Sequence, residues 1–391
     1  MPGISFSNIK NAFAYKSDAE LNKAYWLFKA ISNNFLVEWG PKVTMLALKL
    51  HLPVKPLIRA TIYSHFCGGE TIEECNKTIQ QLGNYKVGSI LDYSVEGHEK
   101  ESDFDHSCEE LQNTVKRAKG DSNIPFCVFK VTGVGRFDLL EQVSSGDALS
   151  ENEEQEWQRL KIRVKKICQL AFDCNVRIFI DAEESWIQKA IDDLADEMML
   201  LFNKEKTIVY NTIQLYRHDR LLFLKQNIDL ARAGTYKPGY KLVRGAYMEK
   251  ERARAEKKKQ PSPIQIDKAA TDRDYDQAIC VCIQHYDIVS ICAGTHNEES
   301  SLLLTRLMEE NKIENSDKQI WFSQLLGMSD HISFNLAEAG YNVCKYVPYG
   351  PVVSVLPYLF RRAAENTSIS GQMGREMRNI RQERDRRKNQ H

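Results

Sequence analysis

The amino-acid sequence predicts an α/β protein built on a (βα)8 barrel preceded by a helical arm, and three observations carry that prediction. Eight short runs, most of them β-branched or aromatic, begin at about residue 88: Ser89–Tyr93, Phe126–Thr132, Arg177–Ala182, Thr207–Gln214, Tyr240–Tyr247, Ile288–His296, Trp321–Leu326 and Asn342–Tyr349. Longer stretches of helical character separate most of them, among them Trp157–Phe172, Trp186–Phe202 and Ser300–Glu309. Nearly every run ends in a charged or hydrogen-bonding side chain, and barrel enzymes place their chemistry at the carboxyl ends of their strands. Eight strands alternating with helices is the arithmetic of such a barrel, with a doubly wound open sheet as the alternative.

The arm covers residues 1–85. Leu21–Leu36 carries Ala24, Tyr25, Leu27, Phe28, Ile31 and Phe35 at three- and four-residue spacing, and Val43–Leu50 continues the helical character. Pro53 and Pro56 break the run. Thr71-Ile-Glu-Glu then has the form of a capping box ahead of a helix to Leu82. No residue constellation in the arm points to catalysis.

In the barrel segment, 86–366, the strand ends give Asp92 and Glu96, then Lys130, Asp181, Gln214, Arg244 with Tyr247, Thr295 with His296, and Tyr346. Such groups converging on one rim describe a site for a small anion. Lys130 stands in an apolar run where an unpaired ammonium is costly, so it either pairs with a carboxylate such as Asp181 or serves the reaction. His296 reads equally as a satisfied core histidine or a site residue. Thr132-Gly-Val-Gly135 hints at a phosphate loop, but Asp138 stands where a dinucleotide fingerprint needs its third glycine. Ser150–Glu156 is an acidic helix start, favoured by the helix dipole. Glu249–Gln260 reads as a charged helix with a solvated face.

The eighth strand leads, through a turn marked by Gly350 and Pro351, to a helix expected to begin near Pro357. On it Tyr358, Arg361, Arg362 and Glu365 fall at i, i+3, i+4 and i+7, so the stripe that usually carries apolar residues is polar and basic. Two guanidiniums steadied by a carboxylate one turn on suit the grip of a small carboxylate. The plainer alternative is a solvated face with an Arg361–Glu365 pair. Residues 367–391 form a basic tail, read as a fraying surface helix, with attraction to acidic lipid headgroups as a second reading.

Composition narrows the function classes. Lys+Arg and Asp+Glu both number 53, so net charge gives no argument for nucleic acid. The ten cysteines contain no C-x-x-C pair and read as reduced thiols. The nine histidines contain no H-x-x-x-H or H-E-x-x-H, so no metal is expected. No apolar run reaches transmembrane length, and the first residues have neither a signal-peptide core nor an Arg/Ser-rich transit pattern. The protein is expected to be soluble, or at most a visitor to a membrane surface.

Several segments together resemble the proline dehydrogenase (proline oxidase) family, in its stand-alone form. They are Lys241-Leu-Val-Arg-Gly-Ala-Tyr247, Ala293-Gly-Thr-His-Asn297, Gln324-Leu-Leu-Gly-Met328, Lys345-Tyr-Val-Pro-Tyr-Gly350 and Tyr358-Leu-Phe-Arg-Arg-Ala-Ala-Glu-Asn366. Phe179-Ile-Asp-Ala-Glu183 and Phe129-Lys-Val-Thr132 fit as well, so the likeness spans roughly residues 88–366 in order.

The resemblance implies a distorted, TIM-like (βα)8 barrel holding FAD non-covalently, with a final helix over the barrel mouth. It implies oxidation of L-proline to 1-pyrroline-5-carboxylate by hydride transfer to flavin N5, the electrons passing to a membrane quinone. Lys130, Asp181 and Lys241 would be catalytic, with Lys241 near N5, where many bacterial members carry arginine. Arg361 and Arg362 would clamp the substrate carboxylate, steadied by Glu365. Lys130 would line the substrate pocket, and Tyr247, Leu325 and Tyr346 would pack on the proline ring. Hydroxyproline-oxidising relatives have a smaller residue at the place of Tyr346. Ala182, Gln214, Lys241, Arg244, Gly245, Ala246, Thr295 and His296 would contact FAD, and Glu96 matches the gating carboxylate that pairs with Arg361. The resemblance implies peripheral membrane contact through the quinone, with a location in the cytoplasm or on the surface of a bacterial inner membrane, and mitochondrial only if a presequence has been removed; oligomeric state is left open. Two other classes stay in view: a Schiff-base lyase using Lys130 as nucleophile, and a non-catalytic proline sensor.

Overall fold

The computed structural model describes residues 4–95, 99–368 and 372–390, leaving aside the side chains of residues 34, 36, 365–368, 372 and 373. Eight strands, β1 (Val87–Tyr93), β2 (Phe126–Lys130), β3 (Arg177–Asp181), β4 (Val209–Gln214), β5 (Gly239–Val243), β6 (Ser290–Gly294), β7 (Ile320–Leu325) and β8 (Val343–Tyr349), pair in sequence order, all parallel. β8 closes the barrel on β1 through seven register pairs, from Val87 opposite Val343 to Tyr93 opposite Tyr349. The predicted barrel is therefore present, and the open sheet is not.

Alternate residues of each strand face opposite ways, and here both faces are dry. Ile90, Phe126, Val128, Phe179, Tyr210 and Cys344 pack inside the barrel. Phe126 and Phe179 stack at 4.4 Å, and Arg177 lies over the rings of Phe126 and Trp321 at 5.5 and 5.6 Å. The residues between them, such as Leu91, Ile180, Leu242 and Phe322, join the larger core beneath the helices. Burial on both faces is why these strands read as near-continuous apolar runs.

All eight predicted runs contain strands, and the differences lie at their ends. β2 stops at Lys130, and Val131–Gly133 form a 3-10 turn because Glu183 holds both Thr132 N (3.1 Å) and Thr132 Oγ1 (2.5 Å). This turn is not a phosphate loop. β5 stops at Val243, so Arg244 and Tyr247 lie in the following loop, where Gly245 takes φ +134°. A Cβ at Gly245 would meet the Tyr216 ring at 2.4 Å, so glycine is required there.

The arm is two long helices, Asp18–Ile31 and Asn34–Lys49, where one was expected to reach Leu36. Ser17 starts the first with a closed capping box on Glu20, and Asn33 caps the second. Thr71 caps Ile72–Gly83 as predicted, but the box does not close. Glu74 instead accepts from Glu70 N (3.0 Å) and pairs with Arg59 (2.9 Å). That helix sinks Cys75, Ile79 and Leu82 into the barrel core. Tyr15 fastens the front of the arm to the barrel by stacking on Phe334 at 4.4 Å.

Two helices follow β8. The first, Val352–Ser368, begins five residues before Pro357. Pro351 occupies the helix-starting position, its carbonyl accepting from Ser354 N at 2.9 Å, so Pro357 lies inside the helix. The second, Gln372–Lys388, is docked rather than fraying. Ile380 is buried among Ala12, Phe13 and Phe28 of the arm, Arg387 pairs with Asp18 (2.7 Å) and donates to Phe13 O (2.8 Å), and Arg384 covers the Tyr25 ring at 4.0 Å. The charged helix Met248–Lys258 is also more engaged than a solvated face. Its Glu251 is buried and accepts from Ser185 N and Oγ, both at 2.6 Å.

Candidate active site

The barrel register sets Lys130, Asp181, Thr212 and Lys241 on neighbouring strands at one level, facing inward at the carboxyl end. Thr212 is small, so Lys241 reaches past it. Its ammonium donates to Asp181 Oδ1 and, at 2.5 Å, to the Tyr346 hydroxyl, which itself lies 3.3 Å from Asp181 Oδ1. The Lys241 ammonium also lies 4.7 Å from the Tyr346 ring centre. Burial, with Asp181 adding to it, pushes the Tyr346 phenol well above its usual range, so the hydroxyl stays protonated. Asp181 thus takes Lys241, not Lys130, as its ion-pair partner. Lys130, at the last position of β2, is half-buried and turns to the neighbouring cavity.

That cavity, of about 200 Å³, brings together Lys130, Glu183, Tyr247 and Arg361 under Tyr93 and Phe137. Arg361 arrives there from the helix after β8, which puts that helix over the barrel mouth. Arg362 beside it is buried. Glu183 is fully buried, and burial raises its carboxyl to about 7 although Lys130 and the two Thr132 hydrogen bonds oppose it. Asp92 is pushed up in the same way, with Lys130 opposing and Ser94 Oγ bonded to it at 2.7 Å.

A second group lies at the ends of β4 to β6. Arg244 donates to Asp272 (2.7 Å), Thr295 Oγ1 (2.8 Å) and Ser300 Oγ (3.0 Å) and covers the Tyr275 ring at 4.3 Å. Gln214 is buried, and its Oε1 has no hydrogen-bond partner among the described residues. An orphaned buried acceptor beside a fixed guanidinium fits a polar, ring-bearing cofactor with an N–H to donate. His296 packs with Nδ1 2.9 Å from Ser329 Oγ. Burial, then Lys345 and Arg362, lower its pKa to about 3, so the ring is neutral near pH 7. Ala182 is buried just past β3, and Ala246 follows Gly245 in the loop. Leu325 is the register partner of Tyr346.

Glu96 lies outside the described residues, as does the side chain of Glu365. Among the described residues no group of three His, Cys, Asp or Glu side chains could hold a metal.

The structure adds a buried network that the sequence did not suggest. Lys345 faces away from the barrel interior, fully buried, and donates to Asp330 Oδ1 (2.8 Å) and Met328 O (2.5 Å). Lys16 and Tyr15 of the arm both reach Asp330 Oδ2 at 2.8 Å. Burial alone would raise Asp330, but two cations overcome it and hold the carboxyl well below its usual range. Lys345 is pulled below its own range by burial in spite of Asp330, since the single carboxylate is shared between two ammonium groups. Ser329 N, beside them, donates to Glu376 Oε1 of the last helix at 2.5 Å. Arm, barrel and final helix therefore meet directly behind His296. Glu183, the other residue not foreseen, had one signal: it sits two positions beyond Asp181 in a segment already singled out.

Known proteins resemble this chain in sequence and in fold. The family model described as "Proline dehydrogenase" matches residues 75–375. A carbapenem antibiotics biosynthesis protein of Pectobacterium carotovorum subsp. carotovorum is 33% identical over 324 residues, covering 82% of this chain and 83% of that protein. Mitochondrial proline dehydrogenase 1 of Dictyostelium discoideum is 31% identical over 404 residues, covering 92% of this chain and 71% of that protein. Among solved structures, proline utilization A from Bdellovibrio bacteriovorus, inactivated by N-propargylglycine, superposes with a TM-score of 0.72 over 93% of this chain. It is 18% identical and only 38% of it is covered, so it speaks to the fold alone.

Proposed function

This chain belongs to the proline dehydrogenase family, and from that premise we propose that it oxidises L-proline to 1-pyrroline-5-carboxylate with FAD as cofactor. The observation that carries the reading is the hydrogen-bonded Asp181–Lys241–Tyr346 cluster beside a cavity that Lys130, Tyr247 and Arg361 line. FAD, when bound, supplies the hydride acceptor and the route by which electrons leave for a membrane quinone.

In this reading Arg361 and Arg362 hold the proline carboxylate in a forked grip that fixes the ring's orientation, with Glu365 steadying the pair. Tyr346, Leu325 and Tyr247 pack on the ring. Lys241, tied to both Asp181 and Tyr346, sets the position of the Tyr346 ring. Lys130 and the two arginines raise the positive potential where the substrate nitrogen sits, which disfavours its ammonium form and favours the free amine needed for oxidation. Gln214, Arg244, Thr295 and His296 would hold the cofactor, with Ala182, Gly245 and Ala246 letting it approach the backbone and Lys241 near its reacting edge. Glu96 is assigned to gating, by pairing with Arg361 on closure. Residues 86–366 form the catalytic unit in this reading, with the arm of residues 1–85 and the basic tail of 367–391 bracing it. Among the described residues no helix is long and apolar enough to cross a membrane.

The test is the visible spectrum of the purified protein before and after anaerobic proline. Flavin bands near roughly 375 and 450 nm that bleach on adding proline are expected. Bands that persist would remove proline as substrate, and a colourless protein that FAD does not reconstitute would overturn the reading.

A further inference from the structure

The Asn34–Lys49 helix has one face that nothing among the described residues covers. Phe35, Trp39, Val43, Leu46 and the C-cap Leu50 recur every three or four residues, so they line one side of the helix, and they are between 46% and 65% exposed. Val37 and Leu48 face the other way, packing against the arm and against the cluster formed by the helix that carries Arg361 and Arg362. Trp26 and Leu57, on other helices of the arm, are exposed as well. Single exposed apolar residues are ordinary, but a contiguous stripe along four turns is an interaction surface.

The surrounding charge decides what it fits. Residues 21–60 hold Lys23, Lys29, Lys42, Lys49, Lys55 and Arg59 against one carboxylate, Glu38, in a chain whose charges balance as a whole. Lys42 lies 4.6 Å from the Trp39 ring centre and Lys29 lies 4.7 Å from that of Trp26. Aromatic rings at the apolar edge with lysines alongside are the arrangement of a helix lying in the plane of a membrane interface. A second copy of this chain docked face to face would bring the same cations together. Met377 and Ile380, apolar residues of the basic tail's helix, pack against the arm.

We propose that the stripe Phe35, Trp39, Val43, Leu46 and Leu50 docks this protein on an anionic lipid surface. The proposal deepens the quinone part of the reading above by naming the surface that meets the lipid. Docked this way, the helix bearing the two arginines lies directly behind the lipid-facing one. That sets the barrel mouth close to the membrane.

The test is flotation of the full-length protein, without substrate, with vesicles of equal parts phosphatidylcholine and phosphatidylglycerol, and with phosphatidylcholine alone. The wild-type chain should float with the anionic vesicles and much less with the neutral ones. The double variant Val43→Glu/Leu46→Glu should lose about tenfold or more in partitioning. Both residues are exposed, so circular dichroism of the variant should match the parent. Brominated acyl chains should quench part of the tryptophan fluorescence, and Trp39→Phe should reduce that part. Equal flotation of parent and double variant would overturn the proposal, as would no flotation of the parent. A light-scattering mass of two chains that falls to one in the double variant would assign the stripe to self-association instead. A bleachable flavin spectrum with no flotation would sink only the docking surface. Flotation of a protein that cannot take up FAD would sink only the catalytic reading.

Discussion

Removing one oxygen from Tyr346 separates its two contributions. Tyr346→Phe keeps the ring, and with it the packing against Leu325 and the Lys241 cation–π contact. It deletes the hydroxyl that accepts from Lys241 at 2.5 Å and lies 3.3 Å from Asp181. Lys241 keeps Asp181 as its partner, so no buried charge is abandoned, and the loss is one hydrogen bond to a charged group. Such a bond contributes about 1.5–3 kcal/mol, which corresponds to roughly 10–150-fold in rate. If the cluster holds the substrate ring in register, that factor should appear in kcat/KM for proline with the flavin still bound. The assay is steady-state turnover with an artificial electron acceptor, alongside the flavin-to-protein absorbance ratio. Tyr346→Ser makes the complementary cut, removing the ring, and should narrow the preference for proline over 4-hydroxyproline. The Phe variant should leave that ratio near the parent's. Turnover of Tyr346→Phe within about threefold of the parent would refute the positioning role, and an unchanged ratio in the Ser variant would put ring packing elsewhere.

Three further outcomes follow from the same geometry. Arg361→Met should raise the apparent Michaelis constant for proline by orders of magnitude with flavin content unchanged; unaltered proline kinetics would remove this arginine from the carboxylate grip. Asp330→Asn strands the fully buried Lys345 ammonium and should cost about 3–5 kcal/mol. At roughly 2.1 cal/mol/K per residue, that is a fall of about 4–6 °C in the thermal midpoint, and a fall of less than about 1 °C would mean that the network is not holding arm to barrel. Glu183→Gln tests a pH dependence. Burial raises this carboxyl from 4.5 to about 7, so the folded state holds a proton that the unfolded state has released between those values. Stability from this group is full below pH 4.5 and is lost as pH rises towards 7, by about 3 kcal/mol in all. The glutamine variant should flatten that slope in a melting series from pH 5 to 8, and an unchanged slope would assign it to other groups.

The barrel was legible because its strands are buried on both faces, which leaves runs such as Phe126–Phe129 and Arg177–Ile180 with nothing to interrupt them. The strand-end residues were legible for the same reason: a charge at the end of such a run has only the rim to go to. Pairings across the barrel were not. Lys130 and Lys241 flank Asp181 at one level, and the choice between them rests on the small Thr212 that lets Lys241 reach across, a fact of register rather than of local sequence. The helix start was misplaced because both Pro351 and Pro357 suit a first turn, and only the turn at Gly350 separates them. The Asp330 network drew no notice because its members come from Tyr15, Lys16, Lys345 and Glu376, far apart in the chain. Glu183 carried only its place two positions beyond Asp181, which does not show a carboxyl whose burial raises it to about 7.

The clasp between the last helix and the arm has a consequence for how the chain reaches its fold. Arg387 binds the Phe13 carbonyl and Asp18 across more than 360 positions of sequence. The barrel strands, by contrast, are each paired with the next in order, apart from the closing β8–β1 seam. During synthesis the arm emerges before the barrel and the helix that secures it only after the barrel, so the apolar residues Phe13, Phe28 and Ile31 lack their Ile380 cover while the whole barrel is made. Contacts of such long sequence separation are slow to form. The arm should therefore be exposed to chaperones and proteases in the nascent chain until the last helix has been made, and its docking should follow closure of the barrel.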